Sequence, residues 1–191
     1  LPAQMVPPSA TGDSIGTFGP VVPGDLIPIH VALMPDGRVV YYGTDTAGRQ
    51  SGLLQYAIWD PSLGTGTAAH MLFPNTTGTD IFCSAQTLLA STGALLITGG
   101  DITIDGTRNY SNDNTNSFSG TTLRAASTRM GQRRWYPTMV TMPSGDIVVV
   151  GGSSSLPGAI GTTASTPEVY SPGSGWRPLP AAQSAAAYGS E

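Results

Sequence analysis

The chain has 191 residues, a formal net charge of −4 and only 10% charged residues; its eight basic residues are all arginine. Nothing resembles the basic stripe that a nucleic-acid partner requires, and no apolar run approaches the length of a membrane span. Gly (25) and Pro (16) are abundant, which points to all-β structure with many turns.

Residues 1–24 are rich in Pro, Gly, Ser and Thr, show no sustained periodicity, and read as an extended lead-in. No charged stretch precedes an apolar one after Leu1, so a secretory signal, if there was one, is expected to have been removed. Asn75-Thr76-Thr77 and Asn109-Tyr110-Ser111 fit the glycosylation acceptor pattern. The expectation is a secreted protein.

From residue 25 onward one phrase recurs. An apolar strand runs into a turn at Pro35-Asp36-Gly37, and a second strand ends at Gly43. The same phrase turns at Thr92-Gly93 and stops at Gly99-Gly100, then turns at Ser144-Gly145 and stops at Gly151-Gly152. A period of roughly 50 residues with this pattern predicts kelch-type blades of a β-propeller. The predicted four-stranded blades cover about 27–74, 81–124 and 135–180. Leu54–Trp59 alternates as a strand and ends at Asp60-Pro61, a turn. The polar stretch from Asn109 to Gly120 reads as an Asx-rich loop, with a calcium site as the lesser alternative. Met130 to Arg134 permits a turn, and no helical periodicity is visible. A propeller needs about four to eight blades, and three would leave two apolar faces in water. The remaining blades, from the same gene or another chain, are the expected partner.

Within this frame Cys83 lies just before the first strand of the second blade, and Tyr136 lies at the matching place in the third. Taken alone, a single cysteine on a strand is a small buried hydrophobe and Tyr136 a packing aromatic. A lone cysteine cannot form a disulfide within its own chain. Asp80, Asp101 and Asp105 flank the second blade; paired carboxylates would suit glycoside hydrolysis only at a defined separation, which sequence does not show. There is no phosphate-binding glycine loop, no Cys-x-x-Cys pattern and no Gly-x-Ser-x-Gly elbow.

The words around the two residues narrow the choice. Asp80-Ile81-Phe82-Cys83-Ser84, followed by Leu96-Ile97-Thr98-Gly99-Gly100-Asp101, resembles the cysteine segment of the copper radical oxidases, the galactose oxidase and glyoxal oxidase family. Gln132-Arg133-Arg134-Trp135-Tyr136-Pro137-Thr138 resembles the radical-tyrosine segment of the glyoxal oxidase branch. The resemblance covers roughly residues 27 to 180 at the strength of the repeat. It implies part of a seven-bladed propeller in which Cys83 and Tyr136 form a thioether, a radical cofactor made by the protein itself. It implies copper held through Tyr136, with Arg134 and Trp135 as close neighbours of the pair. It further implies a small aldehyde or primary alcohol as substrate, oxidised by O2 with release of H2O2. Two histidines and a second tyrosine complete the family's copper ligands. Here only His30 and His70 occur. His30 reads as a channel-lining or hydrogen-bonded histidine and His70 as an exposed one, so neither is assigned to copper. Ser154 and Ser155 follow Ser153, where the galactose oxidase branch places a stacking tryptophan. Two alternatives stand beside the oxidase reading: a non-catalytic kelch segment that binds or scaffolds, and a relative that keeps the cross-link without copper.

Overall fold

A computed structural model describes residues 21–104 and 108–188. Most of the predicted lead-in, and Asp105, lie outside the described residues. The described chain is all-β. It forms three four-stranded antiparallel sheets and one two-stranded hairpin. The first sheet is β1 (Leu26–Leu33), β2 (Val39–Asp45), β3 (Gln55–Trp59) and β4 (His70–Pro74), paired in chain order. The second is β5 (Ala85–Leu88), β6 (Leu95–Thr98), β9 (Thr115–Ser119) and β10 (Thr122–Ala125), with the hairpin β7 (Asp101–Ile104) and β8 (Arg108–Ser111) inserted between β6 and β9. The third is β11 (Thr138–Thr141), β12 (Ile147–Val150), β13 (Glu168–Ser171) and β14 (Gly175–Pro178). Helical structure is confined to 3-10 turns such as Pro61–Leu63, where Asp60 caps the Ser62 N–H at 3.0 Å.

The recurring phrase fixes the first hairpin of every sheet in the same way. Met34, Leu89 and Met142 each donate their N–H across the turn, to the carbonyls of Arg38, Ala94 and Asp146, at 2.8 Å in all three cases. The turn glycines Gly37, Gly93 and Gly145 have positive φ, which a glycine adopts without steric penalty.

The sheets stack through their apolar faces. Tyr42, Tyr56, Ile58, Leu95, Ile97 and Phe118 form one buried cluster joining the first two sheets. Leu89, Leu96 and Ile147, backed by Tyr170 and Trp176, join the second and third. Each large side chain buried this way contributes about 1.5–3 kcal/mol. At one end of the stack Ile27, Ile29, Val31 and Leu33, alternate residues of β1, are 44–66% exposed; at the other, Val140 is 55% exposed.

The stretch Asn109–Gly120 is not a loop. It supplies the end of β8 and all of β9, and its polar side chains carry hydrogen bonds between segments. Asn112 donates from Nδ2 to the carbonyls of Asp80 (2.9 Å) and Asp101 (3.1 Å) and accepts the Asn114 N–H at Oδ1. Asn116 accepts from Thr79. Composition alone favours a turn here; partners from other elements decide otherwise.

The Gly99-Gly100 pair does more than end a strand. A Cβ at Gly99 would lie 2.4 Å from the Arg134 carbonyl oxygen. One at Gly100 would lie 2.6 Å from that of Asp80, and the φ of Gly100 is +125°. Gly100 donates its N–H to Arg134 O at 2.9 Å. The pair is therefore a seat on which the segments leading to Cys83 and Tyr136 both rest. Gly100→Ala is expected to destabilise the fold by at least about 3 kcal/mol, combining clash and backbone strain, read as a lower urea midpoint with an unchanged slope.

Candidate active site

Asp80 Oδ1 accepts the Phe82 N–H at 2.9 Å and Ser84 donates its N–H to Ile81 O at 3.3 Å. This tight turn delivers Cys83 two residues before β5, 1% exposed, with φ of 58°. Fifty-odd residues on, Arg134 donates its N–H to Asn112 O at 2.8 Å. Trp135 exchanges two backbone bonds with Ser153, at 2.8 and 2.9 Å. Tyr136 follows, two residues before β11, with φ of 53°. Among the described residues, Cys83 and Tyr136 are the two non-glycine positions with positive φ. They are also bonded to each other: the Tyr136 N–H donates to Cys83 O at 2.9 Å. A left-handed residue costs about 1 kcal/mol or more, and such strain concentrates at functional sites.

The side chains are coupled as well. Burial pushes the Cys83 thiol up to about 12. The nearby Tyr136 hydroxyl and Trp135 indole pull against that, while the charges of Asp101 and Asp80 add to it. The thiol is therefore protonated at neutral pH and is a poor nucleophile or metal ligand in that form. The Cys83 interaction, ahead of burial, raises the Tyr136 phenol to about 12. Tyr136 remains 51% exposed, so one side of its ring is open to another molecule or chain segment. Its ring meets that of Trp135 at 4.6 Å and 69°, an edge-type contact.

Arg134 takes a different part. It is 0% exposed, and its guanidinium is engaged with the Gly151 carbonyl (2.8 Å), the Thr166 carbonyl (2.6 Å) and Glu168 Oε1 (3.0 Å), not with Cys83 or Tyr136. Glu168, a residue without a distinguishing motif, also accepts the Gly131 and Gln132 N–H groups. This buried ion pair clamps the segment that carries Tyr136 onto the third sheet.

Asp80 and Asp101 lie beside the pair and line a cleft of about 400 Å³ with Leu53, Thr103 and Arg129. Asp101 accepts from the Tyr110 N–H and the Thr103 hydroxyl, and burial raises its carboxyl. Burial also raises Asp80, against the Phe82 N–H that stabilises its anion, and the Asp101 charge adds to the rise; the result is about 6. His30, on β1, is stacked on Tyr42 at 4.7 Å, and burial lowers it to about 4, so it is neutral at pH 7. Tyr42 in turn bonds Ser84, next to Cys83, at 2.9 Å. His70 is not exposed as expected. It is half-buried at the start of β4, bonded through Nδ1 to the Tyr41 hydroxyl (3.0 Å) and stacked on Trp59, because it shares the outer face of the first sheet with those rings.

Among the described residues no three His, Cys, Asp or Glu side chains form a group that could hold a metal ion. Tyr136 is a single potential ligand, and neither histidine stands with it. These residues alone do not make a copper site. No helix among them is long and apolar enough to cross a membrane.

No family model matches the chain. A WSC domain-containing protein of Arthroderma benhamiae is 28% identical over 155 residues, which is 78% of this chain and 17% of that protein. Among solved structures, a fungal alcohol oxidase of the AA5 family, in complex with copper, has a TM-score of 0.62 at 23% identity, covering 86% of this chain and 32% of the oxidase. The protein YjhT has a TM-score of 0.53 at 12% identity, covering 78% of this chain and 50% of its own. The chain thus spans 17% of the WSC domain-containing protein and 32% and 50% of the two solved structures, and it shares the fold of those two structures over that part.

Two outcomes follow from the site's electrostatics. Arg134→Met leaves Glu168 buried without its cation and is expected to cost about 3–5 kcal/mol in urea unfolding. Asp80 binds its proton more tightly in the folded state than in the unfolded one, so stability falls as pH rises from about 4 through about 6 and is then level. Asp80→Asn keeps an acceptor for Phe82 and is expected to flatten that slope. At pH 7 it should be the more stable form, by on the order of 2 kcal/mol.

Proposed function

We propose that this chain is part of a secreted copper radical oxidase of glyoxal-oxidase-like type, with Cys83 and Tyr136 as its cross-linked cofactor. One observation carries the reading: two left-handed, backbone-bonded residues, a thiol and a phenol, stand at matching positions before the inner strands of neighbouring sheets. Their sequence contexts match the family's two cofactor segments. The fold likeness to a copper-complexed alcohol oxidase supports the same reading.

In this proposal the cross-link forms by loss of the Cys83 S–H hydrogen and of the Tyr136 ring hydrogen ortho to the hydroxyl, as one C–S bond is made. Two electrons and two protons pass to O2, giving H2O2. Turnover has the same balance. A primary alcohol gives an aldehyde, or a hydrated aldehyde an acid, while O2 takes the two electrons and two protons. Tyr136, open on one side, is the phenol that would meet the metal. The copper's other ligands and the remaining blades of a seven-bladed kelch propeller come from outside the described residues. The exposed apolar row on β1 and the exposed Val140 on β11 support that closure, since such faces favour burial.

The protonated, buried thiol and the absence of a three-ligand group among the described residues favour the second reading, a non-catalytic kelch segment. Mass spectrometry of the full-length protein after exposure to copper and oxygen separates them. The oxidase reading expects a mass two hydrogens lower and a reductant-resistant link between the tryptic peptides bearing Cys83 and Tyr136. A Cys83 that is fully alkylated after denaturation rejects it. A linked protein that releases no H2O2 from methylglyoxal or simple alcohols is the copper-free relative.

A further inference from the structure

The side chain of Tyr42 reaches from β2 of the first sheet to the turn that carries Cys83 in the second. It is 0% exposed, and His30 stacks on its ring at 4.7 Å. Its hydroxyl bonds Ser84 Oγ at 2.9 Å and Gln86 Oε1 at 3.0 Å. The directions of these bonds follow from the protons available. Gln86 donates from Nε2 to the Val31 carbonyl at 2.8 Å, which leaves its Oε1 facing Tyr42 as an acceptor. The phenol has one proton and gives it to Gln86, so the Ser84 hydroxyl donates to the phenol oxygen. Ser84 also donates its N–H to Ile81 O. Both donors of the residue after Cys83 are therefore committed, one to its own turn and one to the neighbouring sheet. Stacking of sheets does not by itself require such a link. In the next repeat Thr98 holds the place of Tyr42 after its turn glycine, and Pro137 follows Tyr136 as Ser84 follows Cys83. Thr98 donates its hydroxyl to Asn114 O within the second repeat, and Pro137 has no donor to give.

We infer that Tyr42 is a positioning residue for Cys83: acting through Ser84, its hydroxyl holds the thiol-bearing turn against the first sheet. That turn is strained, since Cys83 at its centre has φ of 58°. Asp80 holds the Phe82 N–H on one side of Cys83, at 2.9 Å, and the Tyr42–Ser84 bond holds the other side. The Cys83 carbonyl meanwhile accepts the Tyr136 N–H. The thiol is thus placed by contacts from both neighbouring repeats as well as its own. The Tyr42–Ser84 link is a property of this chain; its effect on cross-linking rests on the oxidase reading above.

The test follows labelling by a thiol reagent in the folded, full-length protein kept free of copper, read by the mass of the peptide that bears Cys83. Cys83 is 1% exposed, so it reacts only when its turn opens. Tyr42→Phe keeps the ring and removes the hydroxyl. It is expected to speed labelling about tenfold or more, because Ser84 and Gln86 lose a buried partner. Tyr56→Phe is the control. It removes another hydroxyl from the same core cluster, one that donates to Thr121 O at 2.9 Å. Labelling there is expected to stay within about twofold of the parent. Equal acceleration in the two variants means that Tyr42 acts only through overall stability, and it overturns the proposal. Labelling at the parent rate in Tyr42→Phe overturns it too. Ser84→Ala is expected to match Tyr42→Phe, and the double variant to go no further; additive effects reject the route through Ser84. Should Tyr42→Phe fail to fold, Ser84→Ala decides alone, and labelling at the parent rate again overturns the proposal. When copper and oxygen are then added, Tyr42→Phe is expected to slow thioether formation about tenfold or more. Cross-linking at the parent rate overturns the role in that reaction. A protein that labels as expected but never cross-links keeps the positioning role and rejects the oxidase reading instead.

Discussion

The hydrogen bond from Tyr136 N–H to Cys83 O is the constraint from which the rest of the site follows. It joins two segments that lead into the inner strands of different sheets. It forms only because both residues leave the usual backbone regions, each with φ above 50°. That conformation is unfavourable for any residue with a Cβ, so it persists only where the surroundings over-determine it. Here they do. Asp80 and Ile81 close the turn below Cys83, and the Trp135–Ser153 exchange closes the one before Tyr136.

Those turns rest on a polar framework inside an otherwise apolar stack. Asn112 ties Asp80 to Asp101, and through backbone bonds it connects Gly100 to Arg134. Arg134 and Glu168 extend the framework into the third sheet. Buried polar groups of this kind specify one arrangement, because any displacement leaves a donor or a charge without a partner. Apolar packing between sheets would tolerate a small slide; this network does not.

Much of this was legible in the residues. The Gly-turn, strand, Gly-Gly phrase sufficed for the first hairpin of every sheet, because turn glycines and alternating apolar residues act locally. Cys83 and Tyr136 stood out through their equivalent places in that phrase. Other features were not legible. Asn109–Gly120 has loop composition and became strand, because Thr79, Asp80 and Asp101 supply partners that no local rule contains. Glu168 sits in an ordinary strand, and only the folded chain brings it to Arg134, 34 residues away in sequence. His70 reads as exposed until Tyr41 and Trp59, distant in the chain, are placed beside it.

Local order, then, belonged to the sequence: which segments extend, where they reverse, and which residue types could carry chemistry. Tertiary structure alone decided which of those residues meet. The reason is one of range. Steric preference and hydrophobic alternation act over a few residues, whereas burial, desolvation and hydrogen bonding between sheets act on whatever the packed chain brings within a few ångströms. The thiol that faces a phenol and an indole, and the arginine that turns to a glutamate instead, are both outcomes of that second range.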